Sequence, residues 1–488
     1  MKTRLKLLGL LAFFSLSSAS LLNAQNSTNP PLRITRGGVD TIYSANHIVL
    51  GVTSPNAKVT VNGEGVKVYK TGSFGWQGNL NVGDNELRIS SIVDGEISTK
   101  ILNIYRSTAP ARRPVREEPK YELIDTTFIV ETLEGAYFNY GDGTDRLGGA
   151  KVSFLDEGIP LKVVQEYANL YKVQVSQNRY YHIPKSYVEP SDKEIKLVNS
   201  GNWRLTGGED RDRLTISLGA HLPYVVRQEL DPNAIIVDIF GARCNSNWLT
   251  QKEPFGIVDY IDLEQVEYDV LRVKIVLKSR SWGTRISYDG GGNLSIVMKH
   301  APAPTLEGMT IGVDAGHGGP RSNGAISISG LKEKDLNLDM AYLLKKELEN
   351  RGAKVVLSRA KDVDVPMDER KKCFIDADAD IVVSIHCNAG GSPFAVMGAS
   401  TYYKWIHNRD LALSVLKRIK ELDGVGDFGL VGNFNFSLNA PIEFPNILVE
   451  TQFLSNLPDE ERIADPAFRK AMMIKVVDGI EDYLKSQE

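Results

Sequence analysis

Hydrophobic patterning changes character at Met309, and that change constrains the fold of these 488 residues more than any other feature. Beyond it, short apolar runs alternate with amphipathic stretches of helical period. MTIGVD (309–314), AKVVLSR (353–359), DADIVVSIH (378–386) and PNILVETQF (445–453) read as strands. DLNLDMAYLLKKELENRG (335–352) sets Leu336, Met340, Leu343, Leu344 and Leu348 on one helical face and closes on a glycine. RDLALSVLKRIKEL (409–422) reads as a second helix, and the C-terminal residues as a third. Alternating β and α units predict an α/β domain at 309–488, with a mostly parallel sheet flanked by helices on both faces.

Before Met309 the period is two. Val59 and Val61 alternate with Lys58 and Thr60, Asn62-Gly63 is a turn signal, and LRIS (87–90) and ILNIY (101–105) continue the pattern. Residues 41–106 therefore read as a small sandwich, which loosely resembles a bacterial immunoglobulin-like module. STAPARRPVREEPK brings a Pro-rich, charged linker at 107–120, its arginines solvated. Residues 121–192 are again β-rich, and they resemble a Src-homology-like barrel of the kind attached to cell-wall enzymes. There Tyr180, Tyr181 and His182 suit either a ligand groove or the core and rim of the barrel, and the plainer reading is preferred. RLTISL, PYVV, AIIVDIF, LRVKIVL and NLSIVMK give residues 193–300 the layout of an AMIN domain, a resemblance that implies cell-wall binding. APAPTLEG supplies a second linker, at 301–308. The whole reads as a multidomain chain, three small all-β N-terminal modules followed by one α/β domain.

Lys2, Arg4 and Lys6 precede an apolar run at 7–22 that ends in small and polar residues. The run falls short of the roughly 20 apolar residues a membrane span wants, so 1–24 reads as a signal peptide cut after Ala24. The mature chain is expected to carry no transmembrane span and to be exported, periplasmic or associated with the envelope. Lys and Arg total 57 against 61 Asp and Glu, a net charge of −4. That balance argues against nucleic acid as a partner. Three cysteines cannot build a disulfide framework.

In open α/β sheets ligands bind beyond the carboxyl ends of the strands, and polar clusters stand at those places. Asp314-Ala315-Gly316-His317-Gly318-Gly319 follows the first strand. Ser384-Ile385-His386-Cys387-Asn388 ends a later one, Glu450-Thr451-Gln452 ends another, and Glu333 precedes the long helix near the same rim. Two imidazoles and one carboxylate are the ligand set of a catalytic zinc and need no cysteine. The glycines around His317 permit a sharp turn, Asp314 is a candidate to orient an imidazole, and Glu450 suits a proton carrier outside the ligand set. Each has a plainer reading. An isolated histidine on an apolar strand is more often a satisfied core residue, a DxGHGG segment can be a turn, and spacing alone does not pair His317 with His386. His47, His182, His221, His300 and His407 have no motif around them and read as structural or exposed. Cys387 alternates to the face opposite His386 and reads as core rather than nucleophile.

GVDAGHGGPRSNGA, GLKEKDLNLDMAYLLKKELENRGAKVVLSR, VPMDERKK, ADIVVSIHCNAG and PNILVETQFLSN occur in this order. Together they resemble a zinc-dependent N-acetylmuramoyl-L-alanine amidase of the cell-division and spore-cortex type, over 309–485. The resemblance implies one zinc ion held by His317, Glu333 and His386, and Glu450 as the catalytic glutamate. Arg370 resembles a recurring arginine of structural or supporting role, and Asp314 and Asn388 are further candidates for support. Glu443 is a rival carboxylate, but it precedes its strand instead of ending it. The implied substrate is peptidoglycan, cut between N-acetylmuramic acid and L-alanine, with cell-division or envelope proteins as partners. Ala315 stands where the family commonly has Pro, and Gln452 where it usually has Gly, which is expected to place a larger polar side chain beside the site. The stretch from Asn388 to Gly398 has no room for the autoinhibitory helix of some relatives, so control is expected from the upstream modules. Two rival readings are a non-catalytic wall-binding scaffold and a zinc peptidase cutting within the stem peptide.

Overall fold

The computed structural model describes residues 31–108, 124–141, 151–246, 248–395 and 397–487. The expected signal peptide at 1–24 and nearly all of the linker at 107–120 lie outside the described residues.

The C-terminal domain is a six-stranded sheet with helices. Its elements are β1 (Thr310–Ala315), α1 (Glu333–Asn350), β2 (Lys354–Leu357), α2 (Met367–Asp376), β3 (Ile381–Asn388) and β4 (Ala399–Tyr402). Then follow α3 (Arg409–Ile419), β5 (Asp427–Val431), β6 (Asn446–Phe453), α4 (Leu457–Ala464) and α5 (Pro466–Lys485). The strands lie in the order β2-β1-β3-β6-β4-β5. All pairings are parallel except β4 with β6. Strands covered on both faces carry continuous apolar runs, and every residue of β6 is buried.

Pleating divides β3 between two layers. Ile381, Val383, Ile385 and Cys387 join the core beneath α1, α3 and α5, with Leu344, Val415 and Val476. Val382 turns to the other face, where Phe374 of α2 covers it. The helices are thus shared unequally: α1, α3, α5 and Ile463 of α4 cover one face, and the ten-residue α2 the other. α2 buries only Arg370 and Phe374, so its apolar period is too sparse to read from sequence. Glu333 is the first residue of α1 rather than a residue before it, and Gly352, with φ of 89°, follows the helix end as expected.

Upstream, strands between Arg33 and Arg106 form a three-stranded and a five-stranded sheet around Val49, Phe74, Ile89 and Ile104. Residues 124–190 make one seven-stranded sheet, and 198–299 a five-stranded and a four-stranded sheet with a two-stranded ribbon. A single apolar core runs through these last two stretches. Tyr181 stacks on Phe138 and reaches Phe240 within it, while Tyr180 is exposed. All parts touch the α/β domain. Leu50 packs on Ile328 and Leu457, the Thr284 N–H donates to the Ile442 carbonyl at 2.8 Å, and His407 Nε2 bonds the Glu229 carbonyl at 2.9 Å. No described helix is long and apolar enough to cross a membrane.

Candidate active site

β1, β3 and β6 end side by side, and their register aligns Asp314 with Ser384 and His386 with Glu450. Neighbours in register share a face of the sheet, so Glu450 stands next to His386. α1 begins at the same rim, and its first residue, Glu333, reaches both histidines. Glu333 Oε1 lies 3.2 Å from His317 Nε2 and 3.0 Å from His386 Nδ1. The ligand atoms of the three residues all lie within 4.8 Å of one another, the one such group of histidine, cysteine and acid side chains among the described residues.

The surroundings hold that geometry. Glu333 Oε2 accepts the Ala325 N–H at 2.7 Å, and Oε1 accepts the Cys387 N–H at 3.1 Å and the Asn337 amide at 3.3 Å. His317 takes the left-handed conformation itself, with φ of 62°, and its Nδ1 meets Ser322 Oγ at 3.0 Å. Two glycines keep space for the ligands. A Cβ on Gly316 would come within 2.3 Å of the His386 ring, and one on Gly324 within 2.3 Å of Glu333 Oε2.

Burial opposes ionisation of Glu333, yet the hydrogen bonds and charges of His317 and His386 outweigh it and hold the carboxyl well below its usual range. Glu450 is 8% exposed, and its Oε2 has no hydrogen-bond partner among the described residues. Burial pushes its carboxyl up to about 7, opposed by the His386 charge and reinforced by that of Glu333. Two ring nitrogens converging with one carboxylate oxygen form a donor set that suits zinc. Ser322 at the far nitrogen of His317 is the kind of partner that orients a metal-binding imidazole. The residues present fit a divalent metal.

Asp314 does not orient an imidazole. Its Oδ1 accepts from Ser358 Oγ at 2.5 Å and Arg370 Nη1 at 2.7 Å, and its Oδ2 from Ser384 Oγ at 2.6 Å. Its task is to hold Arg370, which also donates to the carbonyls of Ala315 at 2.8 Å and His317 at 2.7 Å. Asn388 turns its polar atoms to the Ala389 N–H and the Tyr402 hydroxyl. Gln452 is fully buried and donates to the Thr451 carbonyl, so it does not line the approach as expected. The open groove, of about 240 Å³, is lined by His317, Arg321, Asp364, Met367, Arg370 and His386. Cys387 is buried against Thr451, and burial drives its thiol well up, as a core residue requires. Glu443 lies in a different cleft.

Sequence reasoning missed three supports. Arg359 is buried and donates to the carbonyls of Ala315, Gly316 and Lys334. Lys334 ties the Gly319 carbonyl to Asp362. Asn337 sits one helical turn beyond Glu333, a spacing that signals contact.

The family described as N-acetylmuramoyl-L-alanine amidase matches residues 311–482. The uncharacterized protein YqiI of Bacillus subtilis is 31% identical over 185 residues, 37% of this chain and 87% of that one. The N-acetylmuramoyl-L-alanine amidase LytC of Bacillus subtilis is 32% identical over 182 residues, 36% of each chain. Among solved structures, the catalytic domain of CwlV, an N-acetylmuramoyl-L-alanine amidase from Bacillus (Paenibacillus) polymyxa, is 32% identical with a TM-score of 0.34. That match covers 36% of this chain and 98% of the solved one.

Proposed function

The chain belongs to the N-acetylmuramoyl-L-alanine amidase family, and from that premise we propose how its own residues carry the reaction. It is a peptidoglycan hydrolase that acts on the amide between the lactyl group of N-acetylmuramic acid and L-alanine. The observation that carries the site assignment is the convergence of His317, Glu333 and His386. These three hold one zinc ion. When bound there, the cation supplies Lewis acidity, which polarises a carbonyl and acidifies water.

Glu450 handles the proton. A buried carboxylate that titrates near neutrality can both take a proton and release it. It accepts the proton of the attacking water as the oxygen bonds to the lactyl carbon. It then delivers that proton to the nitrogen of the departing alanine as the carbon–nitrogen bond breaks. Arg359 and Arg370 hold the turn at 315–317 by its carbonyls, so His317 stays aimed at the shared carboxylate. The intact ligand set favours this reading over a non-catalytic scaffold.

Peptidoglycan lies outside the cytoplasm, so export through the 1–24 leader, to the periplasm or envelope, belongs to the same reading. The immunoglobulin-like (41–106), Src-homology-like (121–192) and AMIN-like (193–300) stretches are assigned to holding the wall or envelope proteins. Glu450→Gln tests the central assignment. It should retain bound zinc and lose about 10²- to 10⁴-fold in release of stem peptides from purified wall. Unimpaired release would refute the role of Glu450. Mass analysis of the products should find intact stems freed from lactyl groups; cuts within the stem would point to a peptidase.

A further inference from the structure

A second cleft, of about 510 Å³, lies across α2 from the catalytic groove. Met367 and Arg370 line the groove, while Asp368, Lys371 and Ile375 line the cleft, so one helix walls both. The other walls come from Phe154 and Asp156, from Arg285 on the strand Gly283–Tyr288, and from Ile442 and Glu443 just before β6. This volume is in the range of sites for small ligands.

Three charges on its walls, those of Arg285, Asp156 and Glu443, make no ion pair within 4 Å among the described residues. The Arg285 guanidinium makes no hydrogen bond or ion pair within 4 Å among the described residues, and its charge acts on Glu443 from farther off. Asp156 accepts a hydrogen bond from the Tyr288 N–H at 2.7 Å, and Glu443 accepts from the backbone, from its own N–H and from the Ile442 N–H at 2.8 Å. Neither acid makes an ion pair within 4 Å among the described residues, and the Arg285 and Lys371 charges reach Glu443 only at longer range. Lys371, by contrast, is held by Asp368 at 2.6 Å and lies over the Phe154 ring. Burial raises the carboxyls of both Asp156 and Glu443, a cost that a ligand ammonium would relieve. Phe154 and Trp405 add apolar wall. Acids and a guanidinium outside ion-pair distance of one another, with apolar surface in the same cleft, match a ligand that carries both charges on a partly apolar body.

We propose that this cleft binds a short zwitterionic peptide, with its ammonium toward Asp156 and Glu443 and its carboxylate on Arg285. The source we assign, the free end of a wall stem peptide neighbouring the one being cut, rests on the hydrolase reading; the cleft's chemistry does not. Such a subsite would hold the wall while the groove across α2 works on the adjacent stem.

Calorimetric titration of the full chain tests this with a synthetic stem peptide that lacks muramic acid and so cannot be cut. One peptide should bind per chain, in the wild type and equally in Glu450→Gln. Amidating the peptide's carboxylate, or acetylating its amines, should weaken binding by roughly tenfold or more, and so should Arg285→Glu. The modified peptides make the test independent of how the variant folds. Equal affinity for modified and unmodified peptides would overturn the proposal. So would binding lost in His386→Ala but kept in Arg285→Glu, or no binding at millimolar peptide. Wall digestion without peptide binding would sink this inference alone; peptide binding without wall digestion would sink the hydrolase reading alone.

Discussion

Replacing Arg370 with Met should destabilise the α/β domain more than any single surface change. Arg370 is 2% exposed and its partner Asp314 fully buried. The guanidinium serves Asp314 and the carbonyls of Ala315, His317 and Val365. Burial by itself would raise the Asp314 carboxyl, and the Arg370 charge, with hydrogen bonds from Ser358 and Ser384, holds it low. Without the arginine a buried carboxylate keeps only its two serines. Breaking a buried pair on one side costs about 3–5 kcal/mol. In a domain of this size each kcal/mol moves the melting temperature by about 2–4 °C, so a fall of about 6–20 °C is expected. Circular dichroism melts of the full chain, with zinc and with a chelator, provide the assay. A chain of several units need not melt in one step, so the transition to compare is the one that zinc raises. Removing the charge as well, in Arg370→Met/Asp314→Asn, should recover part of the loss, with a coupling of about 1 kcal/mol or more. A single variant melting within about 1 °C of wild type would refute the reasoning. Strict additivity in the double variant would refute it too.

Gly316→Ala pushes a methyl against the His386 ring, so zinc affinity, read by competition with a chelating dye, should fall by about 10- to 100-fold; wild-type affinity would show that the ring has room. Dialysis against a chelator should abolish stem-peptide release and lower the domain's melting temperature, and zinc should restore both. Persistent activity in fully metal-free protein would count against the three ligands. His407 should make the molecule sensitive to acid. Burial holds its imidazole down to about 4 in the folded chain, against 6.5 ordinarily. The unfolded chain therefore takes up a proton first as pH falls. Stability is intact above 6.5 and is lost between 6.5 and 4, by about 3 kcal/mol in all. Urea unfolding across that range should show the loss, and His407→Gln should flatten it; an unchanged slope would exclude His407 as the cause.

Strands β1, β2, β3 and β6 and helices α1, α3 and α5 were legible because each repeats one period over enough residues to register. α2 was not, since a helix that buries an arginine and one phenylalanine has no apolar stripe. β4 and β5 are short, and their pairing depends on a partner strand far off in sequence. Asp314 shows a different limit. Its place at a strand end was readable, and its partners were not: Ser358, Arg370 and Ser384 lie 44, 56 and 70 residues away. Gln452 misled for a related reason. A polar residue two beyond Glu450 reads as rim, yet β6 is covered along its whole length.

Residue order alone determined the change from period two to alternating β and α units, and the identity of the residues able to ligate a metal, because these follow from local periodicity and side-chain chemistry. Only the tertiary structure decided that His317 and His386 meet on one oxygen of Glu333. That meeting needs parallel register between strands, a left-handed histidine and two glycines that leave room, and none of these is a property of neighbouring residues. It also decided that α2 divides two clefts and that Arg285 faces one of them with no ion pair within 4 Å among the described residues, since what a charge faces depends on which units pack against it.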